Sequence, residues 1–258
     1  MTLALFESNR LPLSAAERWS IKAGDCVESM RGIAAESIDL IVTDPAYSSL
    51  DKHRATGTTT RLAKAWFQTV PNEYFRDFFR EAYRVLKPNS HCYVMCDAET
   101  MFEIKPMGQE AGFKFWKPIV WDKMKMGMGY HYRARCEFVL FFEKGKRRLN
   151  SLGIKDVLEI EEEADDILKI PRVAGGQFDD DWRKRREQSG EPYPTEKPVG
   201  LSQVLIQQSS ELDEIVMDPF SGSASVGHAA LSLARRFVGY DLSASAVELG
   251  RARLESVQ

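Results

Sequence analysis

Three short apolar runs in this chain each stop on an aspartate. Residues 37–43 run into Asp44, residues 214–217 into Asp218, and residues 237–240 into Asp241. Runs of this length and make-up read as buried strands. Segments of helical spacing lie between them, and strands that alternate with helices imply a mostly parallel sheet covered on both faces. In such a doubly wound α/β fold, ligands bind outside the carboxyl ends of the strands. The three aspartates therefore belong to the edge where chemistry is expected.

The rest of the chain fits this frame. Residues 19–23 read as a strand ending at Gly24-Asp25, and a short helix follows over 26–32. A polar stretch, 48–72, has no period and reads as a long loop, a feature that is commonly functional. A helix is predicted over 73–86, where Phe75, Phe78, Phe79, Ala82, Val85 and Leu86 share one face, and Lys87-Pro88-Asn89 ends it. A strand at 91–96 and a helix at 98–112 follow. Strands at 118–121 and 137–142 have no helix between them, which predicts an antiparallel hairpin at the sheet edge. The pattern breaks over 146–190, where an acidic run (Glu159, Glu161, Glu162, Glu163, Asp165, Asp166) precedes a basic one (Arg183, Lys184, Arg185, Arg186). That segment reads as a small insertion between core segments 1–145 and 191–258. Helices are expected at 199–209, 226–235 and 244–257.

Totals narrow the class. A formal charge of −3 over 258 residues gives no overall basic surplus of the kind that many nucleic-acid binders carry. The four cysteines, Cys26, Cys92, Cys96 and Cys136, form no CxxC pair and have no histidine cluster beside them, so neither a metal site nor a disulfide framework is expected. No apolar stretch is long enough to span a membrane, and the first ten residues lack the pattern of a signal peptide. The expected location is the cytoplasm.

Asp218 opens the turn Asp-Pro-Phe-Ser-Gly-Ser-Ala-Ser-Val-Gly (218–227) between a strand and a helix. The small residues Ser221, Gly222 and Ser223 permit close backbone approach, and a helix N-terminus offers N–H groups. The turn is neither a P-loop nor a GxGxxG fingerprint, and an acidic strand end suits a cationic ligand better than a pyrophosphate. A plain tight turn is the alternative. Asp241 ends the next strand, where a carboxylate is placed to accept hydrogen bonds from ribose hydroxyls. Together the two suggest a nucleoside carrying a positive centre, which S-adenosyl-L-methionine is. At Asp44-Pro45-Ala46-Tyr47, the carboxylate suits an amino-group donor and the tyrosine suits stacking on a base. Asp-Pro in a loop is also an ordinary turn signal.

Here the chain resembles the β-class DNA amino-methyltransferases, which modify adenine N6 or cytosine N4. Asp44 to Tyr47 matches their Asp/Ser/Asn-Pro-Pro-Tyr/Phe/Trp tetrapeptide except at Ala46. Asp218 to Ala224 matches their Asp-Pro-Phe-x-Gly-Ser-Gly loop with Ala224 in place of glycine. Pro194-Thr195-Glu196-Lys197-Pro198 matches a segment that precedes that loop, and Gly24-Asp25-Cys26 stands where many members have it. The resemblance covers about residues 19–145 and 191–257, and it implies that the insertion at 146–190 is the target-recognition region. It implies a Rossmann-like methyltransferase core, circularly permuted because the tetrapeptide precedes the cofactor loop. The strand ending near Asp25 then lies beside the strand ending at Asp241. By the same resemblance, S-adenosylmethionine is expected to be held by Asp25, Cys26, Asp44, Thr195, Lys197, Asp218, Phe220, Ser221, Gly222, Ser223, Asp241 and Leu242, and Asp44, Pro45 and Tyr47 are expected to act on the base. The aspartate of the tetrapeptide favours adenine over cytosine. Double-stranded DNA is the expected partner. Candidate contacts are Lys52, Arg54, Arg61 and Lys64, then Lys123, Lys125, Tyr130, Arg133 and Arg135, then Arg183 and Arg185, basic residues in part interleaved with aromatics. The resemblance further implies a homodimer and leaves a restriction endonuclease partner undetermined. Methylation of RNA or of a protein amide, and an inactive scaffold that still binds DNA, are the rival readings.

Overall fold

The computed structural model describes residues 11–49, 51, 68–126, 131–160 and 197–257. Among them, eight strands form one sheet: β1 (Trp19–Ala23), β2 (Ile38–Thr43), β3 (Leu86–Cys96), β4 (Lys114–Asp122), β5 (Cys136–Lys144), β6 (Val157–Glu159), β7 (Ile215–Asp218) and β8 (Arg236–Asp241). Their order across the sheet is β1-β8-β7-β2-β3-β5-β4-β6. Only the contacts made by β5 are antiparallel. Six helices accompany the sheet: α1 (Cys26–Arg31), α2 (Tyr74–Val85), α3 (Ala98–Glu110), α4 (Val199–Ser209), α5 (Ser225–Ser232) and α6 (Ala244–Glu255).

Successive strand residues point to opposite faces. On β3, Cys92, Val94 and Cys96 enter a core shared with α1, α2 and α3. Tyr93 and Met95 enter a second core shared with α4, α5 and α6. The sheet is thus clad on both faces, which explains why all six residues of β2 are buried. The helix α2 supplies the first core with Phe75, Phe78 and Phe79, each fully buried. Burying a side chain of that size contributes roughly 1.5–3 kcal/mol.

The permutation expected from motif order is present in the sheet. β1 pairs with β8 in parallel, Ala23 opposite Asp241, and the Gly24 N–H donates to the Asp241 carbonyl at 2.9 Å. Two expectations need correction. The β4–β5 hairpin is not the sheet edge, because β5 pairs with β3 and a further strand, β6, pairs in parallel with β4. That strand lies in the segment read as an insertion, so residues 157–159 extend the core sheet. Its apolar signal is one buried leucine, Leu158, and the charged neighbourhood hid it. Secondly, β3 begins at Leu86 rather than 91. Lys87-Pro88 does end the helix, but by turning the backbone directly into extended conformation, which is what a residue before proline prefers.

Candidate active site at the carboxyl edge of the sheet

β2 and β7 are neighbours, yet the chain leaves them in opposite directions, through α2 to β3 and through α5 to β8. This is the topological switch point, where a crevice opens at the strand tips. A side-chain bond joins its two sides. Thr43 Oγ1, the last residue of β2, donates to Asp218 Oδ1 at 2.6 Å, and the Phe220 N–H donates to the same oxygen at 3.1 Å. Asp218 is buried, and burial pushes its carboxyl up to about 7 against these two bonds. It lies beneath the turn as a pin between strands, not on the surface of the turn.

The turn is largely self-satisfied. The Ser221 N–H donates to the Tyr240 carbonyl and the Ala224 N–H to the Ser221 carbonyl. The Gly222 N–H donates to Asp241 Oδ2 at 2.8 Å, and the Ser243 N–H to Asp241 Oδ1 at 2.8 Å. The expected row of open amides is therefore committed at 220, 221, 222 and 224. Ser221 and Ser223 are buried. Asp241 clamps the turn, and burial raises its carboxyl pKa against those backbone bonds. Ala224 takes up the left-handed conformation, φ +62°, that glycine would adopt without strain.

A cavity of about 120 Å³ opens beside this turn, lined by Gly24, Asp25, Cys26, Pro219, Phe220 and Leu242 and, across from them, by Gln68, Thr69, Val70, Pro71 and Tyr74. Asp25 caps α1, accepting the Glu28 N–H at 3.0 Å. Its other oxygen accepts the Tyr74 hydroxyl at 2.7 Å, and that hydroxyl lies 3.3 Å from Cys26 Sγ. Burial pushes the Cys26 thiol up to about 12, so it stays protonated and is no nucleophile. Tyr74 was not among the residues expected here. It stands in an amphipathic helix 48 positions from Cys26, where a lone tyrosine reads as packing.

The second half of the crevice holds Asp44. Lys197 Nζ lies 3.1 Å from Asp44 Oδ2 and 2.9 Å from Glu137 Oε2, and Lys123 Nζ lies 2.7 Å from Glu137 Oε1. Burial raises the Asp44 pKa, Lys197 opposes the rise, and Glu137 adds to it. Burial also works against ionised Glu137, but the two lysines outweigh it and draw its pKa down to about 2. Tyr47 is buried, with its backbone bridged to Val70, and the Ala46 carbonyl accepts the Val70 N–H at 2.7 Å. The ring expected to stack on a base is thus inside the first core in this conformation. This backbone bond ties the tetrapeptide at Ala46 to Val70.

The structure separates the expected DNA contacts. Lys123 turns inward to Glu137, and Arg135 Nε bonds Asp122 Oδ1 at 2.7 Å, so both are engaged in ion pairs. Lys125, His131, Tyr132 and Arg133 are exposed, and Tyr132 is fully so. Lys52, Arg54, Arg61, Lys64, Tyr130, Arg183, Arg185 and Thr195 lie outside the described residues. No cluster of three or more His, Cys, Asp or Glu able to hold a metal occurs among the described residues. No described helix is long and apolar enough to cross a membrane.

A switch-point crevice with a cavity of about 120 Å³ on one side and a lysine-held aspartate on the other is the candidate active site. Residues 38–252 match the DNA methylase family of N6- and N4-specific methyltransferases, and the chain belongs to that family. It is 28% identical to the DNA adenine methyltransferase YhdJ of Escherichia coli K12, over 93% of this chain and 83% of that protein. It is 24% identical to the type II methyltransferase M.HinfI of Haemophilus influenzae, over 93% and 69%. Among solved structures, the M1.HpyAVI–SAM complex superposes with a TM-score of 0.63 at 20% identity, covering 92% of this chain and 99% of that one. The cytosine-N4-specific PvuII DNA methyltransferase superposes with a TM-score of 0.68 at 16% identity, over 92% and 86%. The chain is a DNA methyltransferase with the Rossmann-like fold of these enzymes.

Proposed function

We propose that this enzyme methylates the N6 amino group of an adenine flipped out of double-stranded DNA, with S-adenosylmethionine as donor. The observation that carries the reading is the pairing of two unlike carboxylate groups at one strand edge. Asp25, Asp218 and Asp241 have no cationic partner among the described residues, whereas Asp44 is held by Lys197. A crevice with uncompensated carboxylates and an apolar wall of Phe220, Leu242 and Val70 fits a nucleoside sulfonium. When bound, S-adenosylmethionine supplies the methyl group from its positively charged sulfur. Asp25 and Leu242 border that ligand in this reading, and Asp218 and Asp241 hold the turn that carries Phe220.

A base within a duplex does not reach such a crevice, so it leaves the stack first. Its amino nitrogen is a weak nucleophile because the lone pair is delocalised into the ring. Acceptors aimed at the amino hydrogens favour the tetrahedral nitrogen and disperse its developing positive charge. Lys197 occupies Asp44 Oδ2, and no donor meets Oδ1 among the described residues, so Oδ1 faces the amino group. The Ala46 carbonyl is spent on Val70, which leaves the Pro45 carbonyl as the second acceptor. Tyr47 stacks on the base after its ring is uncovered. Buried, protonated cysteines fit a direct transfer with no covalent enzyme intermediate.

Adenine is favoured by the name of the YhdJ relative and by the aspartate that opens the tetrapeptide. Cytosine N4 is the second reading, supported by the PvuII neighbour. The test is transfer of labelled methyl groups to unmethylated genomic DNA, followed by nucleoside mass spectrometry. The expected product is N6-methyladenine, and Asp44→Ala lowers kcat by about 10²-fold or more. N4-methylcytosine keeps the chemistry and changes the base; no DNA product overturns the reading. A homodimer belongs to the same proposal, and light scattering that finds only monomer with and without DNA removes it.

A further inference from the structure

The cluster at the tip of β2 contains a residue outside every motif of the chain. Glu137 is the second residue of β5, and because β5 runs antiparallel its first residues lie at the same edge as the end of β2. Its two oxygens meet two lysines, and one of those lysines meets Asp44. The result is a chain of alternating charge, Asp44–Lys197–Glu137–Lys123, with separations of 3.1, 2.9 and 2.7 Å. None of the four side chains is more than 24% exposed. Removing four charges from water costs more than a simple structural contact needs, and well-packed apolar residues often stabilise as much. Such a network at the mouth of a reaction crevice points to tuning of the group at its end.

We propose that Glu137 is a positioning residue for methyl transfer: it shares Lys197 with Asp44, so that Lys197 neither leaves Asp44 nor pairs with it alone. An ammonium with three N–H groups divided between two carboxylates fixes Asp44 in place through Oδ2. The same division limits how far the lysine weakens Asp44 as a hydrogen-bond acceptor for the base amino group at Oδ1. Lys123, on the far side of Glu137, keeps the set of four electrically neutral. The other titratable groups facing Asp44 are Tyr47 on its own loop, Cys96 at the end of β3 and Asp218 at the end of β7. The tyrosine and the cysteine are held neutral by burial. Asp218 is turned to Thr43 and the Phe220 N–H, and the charges that act most on Asp44 are Lys197 and Glu137.

Replacing Glu137 by glutamine removes a like charge from the neighbourhood of Asp44 and gives Lys197 to Asp44 alone. Both changes favour the ionised aspartate. In the cofactor-free protein with ¹³C-labelled aspartate carboxyls, the Asp44 resonance, assigned by its absence in Asp44→Asn, titrates at lower pH in Glu137→Gln than in the unaltered chain. In single-turnover transfer to DNA at saturating cofactor, the same variant loses about ten- to a hundredfold in rate, the scale on which partners that orient a reacting group act. The acid limb of its rate profile moves to lower pH. Cofactor affinity by calorimetry stays within about twofold, since Glu137 does not line the cavity. Glu137→Asp recovers part of the rate. An unmoved Asp44 midpoint overturns the proposal, and so does a rate loss matched by lost cofactor affinity with an unmoved acid limb. The inference rests on the reading of Asp44 as the base acceptor. If the unaltered enzyme transfers no methyl group to DNA, that reading fails by itself, and the carboxyl titration still decides whether Glu137 controls Asp44.

Discussion

The carboxylates at the two ends of one crevice are stabilised by different means. On the β2 side, Asp44 and Glu137 are matched by Lys197 and Lys123, charge against charge. On the β7–β8–β1 side, Asp218, Asp241 and Asp25 are satisfied by hydroxyls and backbone N–H groups and face no lysine or arginine among the described residues. Hydrogen bonds of this kind fix a carboxylate's geometry without cancelling its field, while an ion pair cancels most of it. The hydrogen-bonded side therefore keeps carboxyl groups whose charge no ammonium cancels, which suits a cationic ligand, although burial holds the proton on Asp218 up to about pH 7. The other offers a nearly neutral acceptor suited to an uncharged base. One strand edge thus serves two ligands of different charge.

The sharpest way to break this comparison is at the packing that holds the uncompensated side. A Cβ added at Gly227 would lie 2.6 Å from Phe237 Cε1 and 2.8 Å from Leu254 Cδ2. Overpacking of a rigid core costs about 1–3 kcal/mol. Gly227→Ala is expected to lower the urea midpoint accordingly and to weaken cofactor binding. Unchanged stability would show that α5 sits less tightly on β8 than described.

Asp218 tests the electrostatics of the same side. Its folded-state pKa of about 7 lies above the ordinary value of 3.8, so the folded chain holds a proton that the unfolded chain has released. Its contribution to stability is present below pH 4 and is lost as pH rises toward 7. Asp218→Asn keeps an acceptor for Thr43 and Phe220 and never ionises. Its melting temperature should therefore rise relative to the unaltered protein as pH goes from 4 to 7. A difference that stays constant across that window would mean that Asp218 ionises as an exposed aspartate does.

The smallest effect belongs to Ala224. Its left-handed backbone costs about 1–2 kcal/mol, and its buried methyl group returns about 0.8 kcal/mol. Ala224→Gly is expected to stabilise by less than about 1 kcal/mol in urea unfolding and to leave activity intact. Clear destabilisation would show that packing of this methyl group in the second core matters more than the strain.

The large features of this fold were legible because they rest on periodic signals. Strands β2, β7 and β8, the apolar face of α2 and α4 over 199–209 were all predicted near their observed places. The turn at 218–227 was legible for a different reason: its small residues answer to local backbone geometry. What escaped were residues whose meaning comes from the fold alone. Glu137 stands singly in an inner strand and Tyr74 in an amphipathic helix, and their partners lie far along the chain at Lys197, Asp25 and Cys26. Lys123 was legible as a cation but not as an inward one, since nothing in its neighbours along the chain announces Glu137. β6 escaped because three residues give no period to read.

The ends of the segment after the tetrapeptide are stitched together before that segment begins. The Val70 N–H donates to the Ala46 carbonyl at 2.7 Å, Ser48 Oγ donates to Asn72 Oδ1 at 3.1 Å, and Thr69 Oγ1 donates to Asp51 Oδ2 at 2.7 Å. With the stem closed, lengthening what it encloses is cheap, since doubling a loop costs only about 0.6 kcal/mol in closure entropy. The stem thus anchors the tetrapeptide from within the described residues, and a change of length between its two ends would leave the backbone that carries Asp44 tied in place.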